Sequence, residues 1–314
     1  SDNGTISYSR NGQFSLDKNG YIVNAGGGRL TGYLANAAGT LVTSAPADLQ
    51  VNQSDISPKT TTSVAAGVNL DSRKALNAAT FNIANSTTYD SATSLSVYDS
   101  LGNAHAVSLY FTKSAANTWD VYAGNDGVPI GKIGTITFDG ATGLINAATL
   151  LLLPFAASAP VTTGATTPMP LKIDFTGTTQ FGSAFSVNSL AQDGYVSGRL
   201  GGYNISSDGI IQGRYSNGQT KTLGQVVMAN FTNPGGLESV GSNSWGETIG
   251  SGAALIGVPG TGSLGSLQSG ALEDSNIDLT AELVKMIMAQ RVYQSNAQTI
   301  KTQDAVLQTL VNMR

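Results

Sequence analysis

The stretch Asp278-Leu-Thr-Ala-Glu-Leu-Val-Lys-Met-Ile287, continuing to Leu310-Val-Asn-Met-Arg314, belongs to the longest segment of the chain without Gly or Pro. Its apolar residues recur in alternating steps of four and three, a 3.5-residue period that keeps one seam of an α-helix against a partner helix. Counted from Asp278, the predicted helix would be about 55 Å long at 1.5 Å per residue. The predicted seam consists of Leu279, Leu283, Met286, Tyr293, Ala297, Ile300, Leu307 and Val311.

The ends and sides of this helix carry further signals. Asp278 or Asn276 can cap its start, and Glu282 in the first turn suits the positive end of the helix dipole. A second apolar set lies beside the seam: Val284, Ile287, Met288, Val292, Val306, Leu310 and Met313. A helix that is apolar over so much of its circumference requires neighbours on more than one side. No upstream segment of this chain offers a helical partner.

Composition excludes several classes of function. Only 11% of the 314 residues are charged, against about 25% in an ordinary soluble protein, and the net charge is −4. These values argue against a nucleic-acid partner. The longest apolar run, 147–157, is too short to span a bilayer, so we expect no membrane partner. The chain has no cysteine and therefore no disulfide bond. Surfaces of hydroxyls and amides lack charge repulsion, so such surfaces can pack on copies of themselves.

Hairpin turns organise the first and last thirds of the chain. Asn-Gly and Asp-Gly pairs supply the positive φ that tight turns need. The pairs predicted as structural turns are Asn11-Gly12, Asn19-Gly20, Asp208-Gly209 and Asn217-Gly218. Because the same hairpin style flanks a different middle block, we predict one split inner β-domain, 1–58 with 188–270. An outer β-domain, 59–187, would be inserted into it, and 271–314 would form the helix.

The fold class predicted is therefore mainly β: two sandwich-like or barrel-like domains, the outer one inserted into the inner one, plus a long C-terminal α-helix. In the outer block the clearest hairpin joins 95–98 to 106–111, and strands follow at 119–122, 135–138 and 171–175. The segment 156–168 is rich in Ala, Ser, Thr and Pro, and is predicted to be an exposed loop. A single apolar strand is predicted at 225–231, and a Gly/Ser-rich stretch at 241–270.

The sequence offers almost no constellation for catalysis. His105 is the only histidine, so no pair of histidines can hold a metal, and we predict a turn-flanking surface or strand residue. The Asp-Gly and Asn-Gly pairs lack the spacing of a calcium loop, and the glycine runs lack a nucleotide-binding pattern. Tyr8, Phe14, Tyr21 and Tyr33 alternate with small residues, as in a β-core. We therefore predict no enzyme activity, no metal and no cofactor.

Several stretches resemble a known family. The residues 270–287 and 289–304 are similar to the C-terminal signature of bacterial flagellar axial proteins. Further stretches resemble the hook proteins in particular: Tyr8-Ser-Arg-Asn-Gly-Gln-Phe14, Leu30-Thr-Gly-Tyr33, Val97-Tyr-Asp-Ser-Leu-Gly-Asn-Ala-His105, Tyr215-Ser-Asn-Gly-Gln219 and 223–237. The resemblance covers nearly the whole chain. Hook proteins have an N-terminal helix before the region that matches Ser1, so we expect the chain to start partway through a longer precursor.

The resemblance implies a structural subunit that polymerises into a flexible tube outside the cell, in the flagellar hook. This tube would act as a universal joint that transmits torque from rod to filament. The partners it implies are other copies of the chain, the rod, the hook cap, the hook–filament junction proteins and the flagellar type III export apparatus. The terminal helices would line the inner wall of the tube.

Other functions remain open at this stage. The C-terminal signature alone also fits a distal rod protein or another flagellar axial protein. A secreted β-rich adhesin or glycan-binding module would require a concave aromatic cluster and a dispensable helix. An enzyme such as a polysaccharide lyase or hydrolase would require facing carboxylates, for which Asp139, Asp174 and Glu247 are the candidates.

Overall fold

The computed structural model describes residues 4–272 and 276–312 and shows a mainly β chain that ends in one long helix. The predicted fold class is confirmed at this level. The first strands are β1 (Ser15–Leu16), β2 (Ile22–Val23), β3 (Thr31–Ala35) and β4 (Leu41–Asp48). β1 and β2 pair antiparallel across a turn in which the Asp17 carboxylate accepts the backbone N–H groups of Asn19 and Tyr21.

The middle of the chain supplies nine strands and a short helix, α1 (Ala147–Leu150). The strands are β5 (Ser63–Asp71), β6 (Ser91–Tyr98), β7 (Ala104–Ala115), β8 (Thr118–Asn125), β9 (Val128–Thr137), β10 (Phe155–Ala159), β11 (Met169–Asp174), β12 (Thr179–Phe181) and β13 (Ser186–Gln192). The strands β6 to β9 form an antiparallel meander, which confirms the predicted hairpin between 95–98 and 106–111.

A second sheet is centred on β5. The strands β11 and β12 both pair parallel with β5, and β13 pairs antiparallel with it. The ladder is interrupted between β11 and β12, and the buried hydroxyl of Thr178 bridges the gap, since it donates to Ala66 O and accepts from Val68 N. Side chains of both sheets share one core, whose largest members are Trp119, Phe111, Phe175, Leu70, Leu109, Ile136, Met169, Leu171 and Ile173.

The last third returns to the first strands. It contains β14 (Leu200–Ile205), β15 (Ile210–Tyr215), β16 (Thr220–Val226), β17 (Met228–Asn230), β18 (Glu238–Gly241), β19 (Ser244–Gly246) and β20 (Leu255–Gly257). A five-stranded sheet runs in the order β14-β15-β16-β3-β4, so the two ends of the β region share a sheet. A separate, smaller core lies here, built from Ile22, Leu49, Val51, Ile211 and Val226.

Two predictions, one of a loop and one of a strand, need correction. The segment predicted as an exposed loop, 156–168, contains most of β10, and Ala157, Ala159, Val161 and Ala165 are buried. The strand predicted at 225–231 is broken into the end of β16 and β17. The Gly/Ser-rich stretch 241–270 contains β19 and β20, and Trp245 of β19 bridges to Tyr8.

The aromatic residues predicted for a β-core lie elsewhere. Phe14 is exposed, and Tyr8, Tyr21 and Tyr33 are half-buried and belong to neither core. The ring of Tyr21 instead lies 4.1 Å beneath the Arg29 guanidinium. Aliphatic side chains, and no aromatic ring, make up the buried residues of the smaller core.

Candidate assembly surfaces

The most exposed large element is the terminal helix α2 (Leu279–Asn312). Its 34 residues span about 50 Å. Over the described residues 279–312, no side chain is buried, and only Ala297 is half-buried. The other residues of the predicted seam are all exposed: Leu279, Leu283, Met286, Tyr293, Ile300, Leu307 and Val311. The second apolar set is exposed too, except that Met313 lies outside the described residues.

The start of the helix is fixed locally. The carboxylate of Asp278 accepts the backbone N–H of Thr280 at 2.8 Å and that of Ala281 at 3.3 Å, as an N-cap residue does. Glu282 stands in the first turn and pairs with Lys285 at 2.7 Å. Asp278, one of the two predicted caps, is therefore the cap. Local signals thus set where the helix begins, and its described side chains are not buried against the β region.

Two further apolar surfaces are exposed on the β region. One lies at the end of the middle sheets remote from residues 59 and 195, and includes Leu144, Leu150, Leu151, Leu152 and Phe181. The other includes Val240 and Trp245 of the β18–β19 ribbon, and Ile249, Leu255 and Ile256, which follow the ribbon in the chain. Isolated exposed apolar residues are ordinary, but groups of this kind mark surfaces that contact other molecules.

Two chain segments, 55–62 and 192–198, connect the middle strands to the rest; we call them the connector segments. They pair antiparallel, with Lys59 N donating to Tyr195 O at 2.9 Å and Tyr195 N donating to Lys59 O at 3.0 Å. A second bridge joins Ile56 to Gly198. The middle strands are thus held by a two-stranded ribbon rather than by a single tether.

Asp193 ties this ribbon to the first strand of the middle sheets. Its carboxylate accepts the backbone N–H groups of Thr62 and Ser63 at 2.8 and 2.9 Å, and the Thr62 hydroxyl at 2.8 Å. Lys59 Nζ lies 3.0 Å from the Oδ2 atom of the same carboxylate. Burial opposes ionisation, but the N–H groups and Lys59 outweigh it and hold the pKa of Asp193 below its ordinary range. We call this group the Asp193 clasp.

The predicted turn residues fall into two groups. Gly20, Gly209 and Gly218 have φ of +82°, +83° and +78°, which side chains rarely adopt. At Gly209 a Cβ would also lie 2.9 Å from the Pro259 ring and 3.0 Å from Val226 O. Gly12 does not have a positive φ, and no atom lies within 4 Å of where its Cβ would be. The hairpin turn predicted at Gly12 is therefore wrong.

Three of the residues that precede these glycines make hydrogen bonds through their side chains, and Asn19 accepts one at its backbone carbonyl. Asn11 accepts the N–H of Gln13, so the predicted turn is replaced by a local loop closure. Asn19 accepts a hydrogen bond from Gln50 at its carbonyl oxygen. Asp208 accepts the N–H of Ile210, and Asn217 donates to Val196 O at 2.7 Å. The side chain of Asn217 thus connects the turn to a connector segment.

His105 is the turn-flanking strand residue that the prediction gave as one of two alternatives, and it is buried rather than at the surface. It lies in β7, 5% exposed, with its two ring nitrogens facing two carboxylates: Nδ1 is 2.6 Å from Asp126, and Nε2 is 3.2 Å from Asp99. Both carboxylates come from turns at the same end of the meander. Sequence reasoning missed Asp99 and Asp126; the one signal available was the Asp-x-x-x-Asn pattern of a tight turn at 99–103.

The carboxylates proposed for an enzyme serve local structure. Asp139 accepts the N–H of Ala141, Asp174 accepts that of Thr176, and Glu247 accepts that of Ala254. Among residues 4–272 and 276–312, no three His, Asp or Glu side chains are grouped so that they could hold a metal ion. Within the same residues, no helix is long and apolar enough to cross a membrane.

Two family models match separate parts of the chain. A family model described as the flagellar basal body protein FlaE D2 domain matches residues 69–195, and one described as the flagellar basal body rod FlgEFG protein C-terminal matches residues 268–313.

Full-length relatives and a solved structure agree with these matches. The flagellar hook protein FlgE of Escherichia coli K12 is 43% identical, over 99% of this chain and 78% of that protein. The FlgE of Borreliella burgdorferi is 33% identical, over 98% of this chain and 75% of that protein. The crystal structure of Helicobacter pylori flagellar hook protein FlgE2 has the same fold at 15% identity, with a TM-score of 0.58, over 80% of this chain and 88% of that one.

Proposed function

This chain belongs to the flagellar hook protein family and is a structural subunit of the hook, and from that premise we propose that copies of it assemble into a flexible tube outside the cell. The tube would join the rod to the filament and transmit torque between them. Its other partners would be the hook cap, the hook–filament junction proteins and the flagellar type III export apparatus. The observation that carries the proposal is the exposure of α2 along its whole described length.

The helix supplies the argument for assembly. Fully burying a large apolar side chain stabilises a structure by roughly 1.5–3 kcal/mol. The seam presents seven such side chains, so partner helices could gain on the order of 10–20 kcal/mol per subunit, before the cost of ordering. The seam residues supporting this are Leu279, Leu283, Met286, Tyr293, Ile300, Leu307 and Val311, with Ala297 giving room for close approach.

We propose that the β region comprises an inner domain and an inserted outer domain. Two separate hydrophobic cores and the paired connector segments support this division. Since β13 continues to Gln192 and pairs with β5, the second boundary belongs after Gln192 rather than at 187. The inner domain would then comprise about 1–58 and 193–270, and the outer domain about 59–192.

The turn glycines Gly20, Gly209 and Gly218 would act in this assembly as fixed corners of the inner domain. The charge-poor faces of both domains would supply contacts that can slide, because hydroxyls and amides accept many registers of similar energy. A bent polymer whose subunit contacts were fixed ion pairs would contradict this part of the proposal.

The test compares two charge insertions on opposite faces of the helix. Ile300→Asp places a carboxylate in the seam, and Gln298→Asp places the same group about 160° around the helix, on a polar face. Introduced into the chromosomal gene of the source bacterium, Ile300→Asp should abolish hooks seen by electron microscopy of isolated basal bodies, and Gln298→Asp should retain them. Normal hooks with Ile300→Asp would remove the seam from the mechanism.

A further inference from the structure

The environment of His105 requires a particular protonation state. Its Nδ1 lies 2.6 Å from Asp126 Oδ2, and its Nε2 lies 3.2 Å from Asp99 Oδ2. A neutral imidazole has one N–H, so it can donate to only one of the two carboxylates, and its other nitrogen would direct a lone pair at the second. The imidazolium has two N–H groups and satisfies both. The geometry therefore favours a buried cation between two anions.

The carboxylates cannot turn away from the ring without breaking other bonds. Asp99 is fully buried, and accepts the backbone and side-chain N–H groups of Asn103 and the hydroxyl of Thr163. Asp126 accepts the N–H of Ala106 at 2.8 Å through its other oxygen. Among the described residues, Asp99 and Asp126 are the charged groups in contact with the imidazole. Loss of the ring's charge would leave Asp99 as a buried anion with one fewer donor.

This cluster fastens the loop 160–168 to the meander. Val161 and Ala165 anchor the loop in the core, and three polar contacts hold its outer side: Thr163 Oγ1 to Asp99, Thr166 N to the Ser100 hydroxyl at 3.1 Å, and Asn125 Nδ2 to Pro160 O at 2.8 Å. Two of these contacts end on the turn 99–103, and Asn125 directly precedes Asp126. The polar contacts of the loop thus depend on the turns that hold His105.

The same turn contacts a connector segment. Gly102, at φ +86°, lies so close to Pro58 that a Cβ there would be 2.9 Å from the ring. Just before the turn, Tyr98 exchanges hydrogen bonds with Thr61: its N–H donates to Thr61 Oγ1, and its carbonyl accepts Thr61 N–H, both at 2.9 Å. The His105 cluster therefore lies where the middle strands meet the connector ribbon.

We propose that His105 and its two carboxylates form a pH-dependent latch, closed by protonation, which holds the loop 160–168 and the turn 99–103 in the place that the connector segment contacts. The latch goes beyond the assembly function and does not depend on it. When the ring loses its proton, one carboxylate loses its hydrogen bond, and the polar contacts between the turn and the loop are weakened while Val161 and Ala165 stay in the core.

The direction of the pH dependence follows from the contacts. Burial disfavours the charged ring, but the hydrogen bonds to Asp126 and Asp99 outweigh it, so the pKa of His105 is raised in the folded protein. A raised folded-state pKa gives stability that is complete below the unfolded-state value of about 6.5. This contribution is lost as the pH rises through the folded-state pKa. The latch thus opens on the alkaline side.

The single histidine makes the test direct. With ¹³C-labelled histidine, the C2–H resonance of the whole chain reports one imidazole, and the same sample in denaturant gives the unfolded reference. We expect the folded midpoint to lie above the unfolded one, and hydrogen-exchange protection of the Thr166 and Tyr98 amides to fall across that midpoint after correction for intrinsic exchange. A folded midpoint at or below the unfolded one would overturn the proposal, as would protection that does not change there.

Two variants separate the latch from general destabilisation. Asp126→Asn can still accept the Ala106 N–H but has no charge, so it should lower the midpoint of His105. Asp55→Asn, at an exposed carboxylate 3.9 Å from Arg199, should leave it unchanged. His105→Gln, where it folds, should have a thermal midpoint with a weaker alkaline dependence than the wild type. Equal midpoints in the two aspartate variants would refute the role of Asp126.

Discussion

The Asp193 clasp allows a sharp prediction about the joint between the two proposed domains. Asp193→Ala removes the acceptor of two backbone N–H groups, the Thr62 hydroxyl and the Lys59 ammonium. Hydrogen bonds to a charged group contribute about 1.5–3 kcal/mol each, but the site is about one-third open and water can replace part of them. We therefore expect a loss of about 2–4 kcal/mol in the free energy of unfolding.

Asp48→Ala is the matched control. It removes the same group from an exposed pair with Arg29 at 3.0 Å, and such pairs contribute about 0–1 kcal/mol. Urea unfolding of both variants and the wild type at pH 7, followed by circular dichroism, measures the difference. The folded-state pKa of Asp193 is lowered, so its contribution is complete above the unfolded value of about 3.9 and is lost as the pH falls through the folded-state pKa.

The difference in the free energy of unfolding between wild type and Asp193→Ala should therefore become smaller in acid, below about pH 4. Two results would refute the reasoning. One is a loss in Asp193→Ala no larger than that in Asp48→Ala. The other is a difference that stays constant as the pH falls through the folded-state pKa.

Three further predictions concern the domains, the turns and the helix. Replacing residues 60–194 by Asn-Gly should leave one cooperative unfolding transition, because Lys59 and Tyr195 are already paired as a two-residue hairpin requires; loss of cooperativity would contradict the split domain. Gly209→Val should cost on the order of 1–3 kcal/mol in urea unfolding and Gly12→Val close to none, and equal losses would contradict the role of positive φ. Amides between Leu283 and Leu307 should exchange rapidly in the monomer and slowly in polymer, and strong protection in a verified monomer would mean that the helix docks on its own chain.

Sequence alone predicted the features that depend on neighbouring residues. The helix begins at Leu279 because the preceding residue, Asp278, caps it. The cap and the N–H groups that it accepts lie within one turn of each other. Gly20, Gly209 and Gly218 have the positive φ that their turns require. The period of the seam, likewise, could be counted from one stretch.

Features that depend on remote partners were missed. The pair Asn11-Gly12 forms no hairpin because the preceding segment finds its partner in Trp245, far along the chain. In 156–168, the core-facing side chains are Ala and Val, so the alternation of β10 was hidden by small residues of low apolar contrast. The two carboxylates that face His105 could not be predicted because they come from separate turns, which only the meander brings together.

Many acidic side chains already form hydrogen bonds within the chain, which leaves few carboxylates for contacts between subunits. Within the described residues, at least eleven of the chain's 20 Asp and Glu side chains accept a backbone N–H of their own chain: Asp17, Asp71, Asp90, Asp99, Asp126, Asp139, Asp174, Asp193, Asp208, Glu247 and Asp278. A carboxylate held in this way fixes its own loop and is less free to pair across an interface. In the proposed assembly, contacts between subunits would then rely on the exposed apolar groups and on hydroxyls and amides, whose bonds to a neighbour are close in energy to their bonds to water. Such contacts can change register at low cost, as a bending tube requires, and the apolar helix seam would keep the subunits in place while they do.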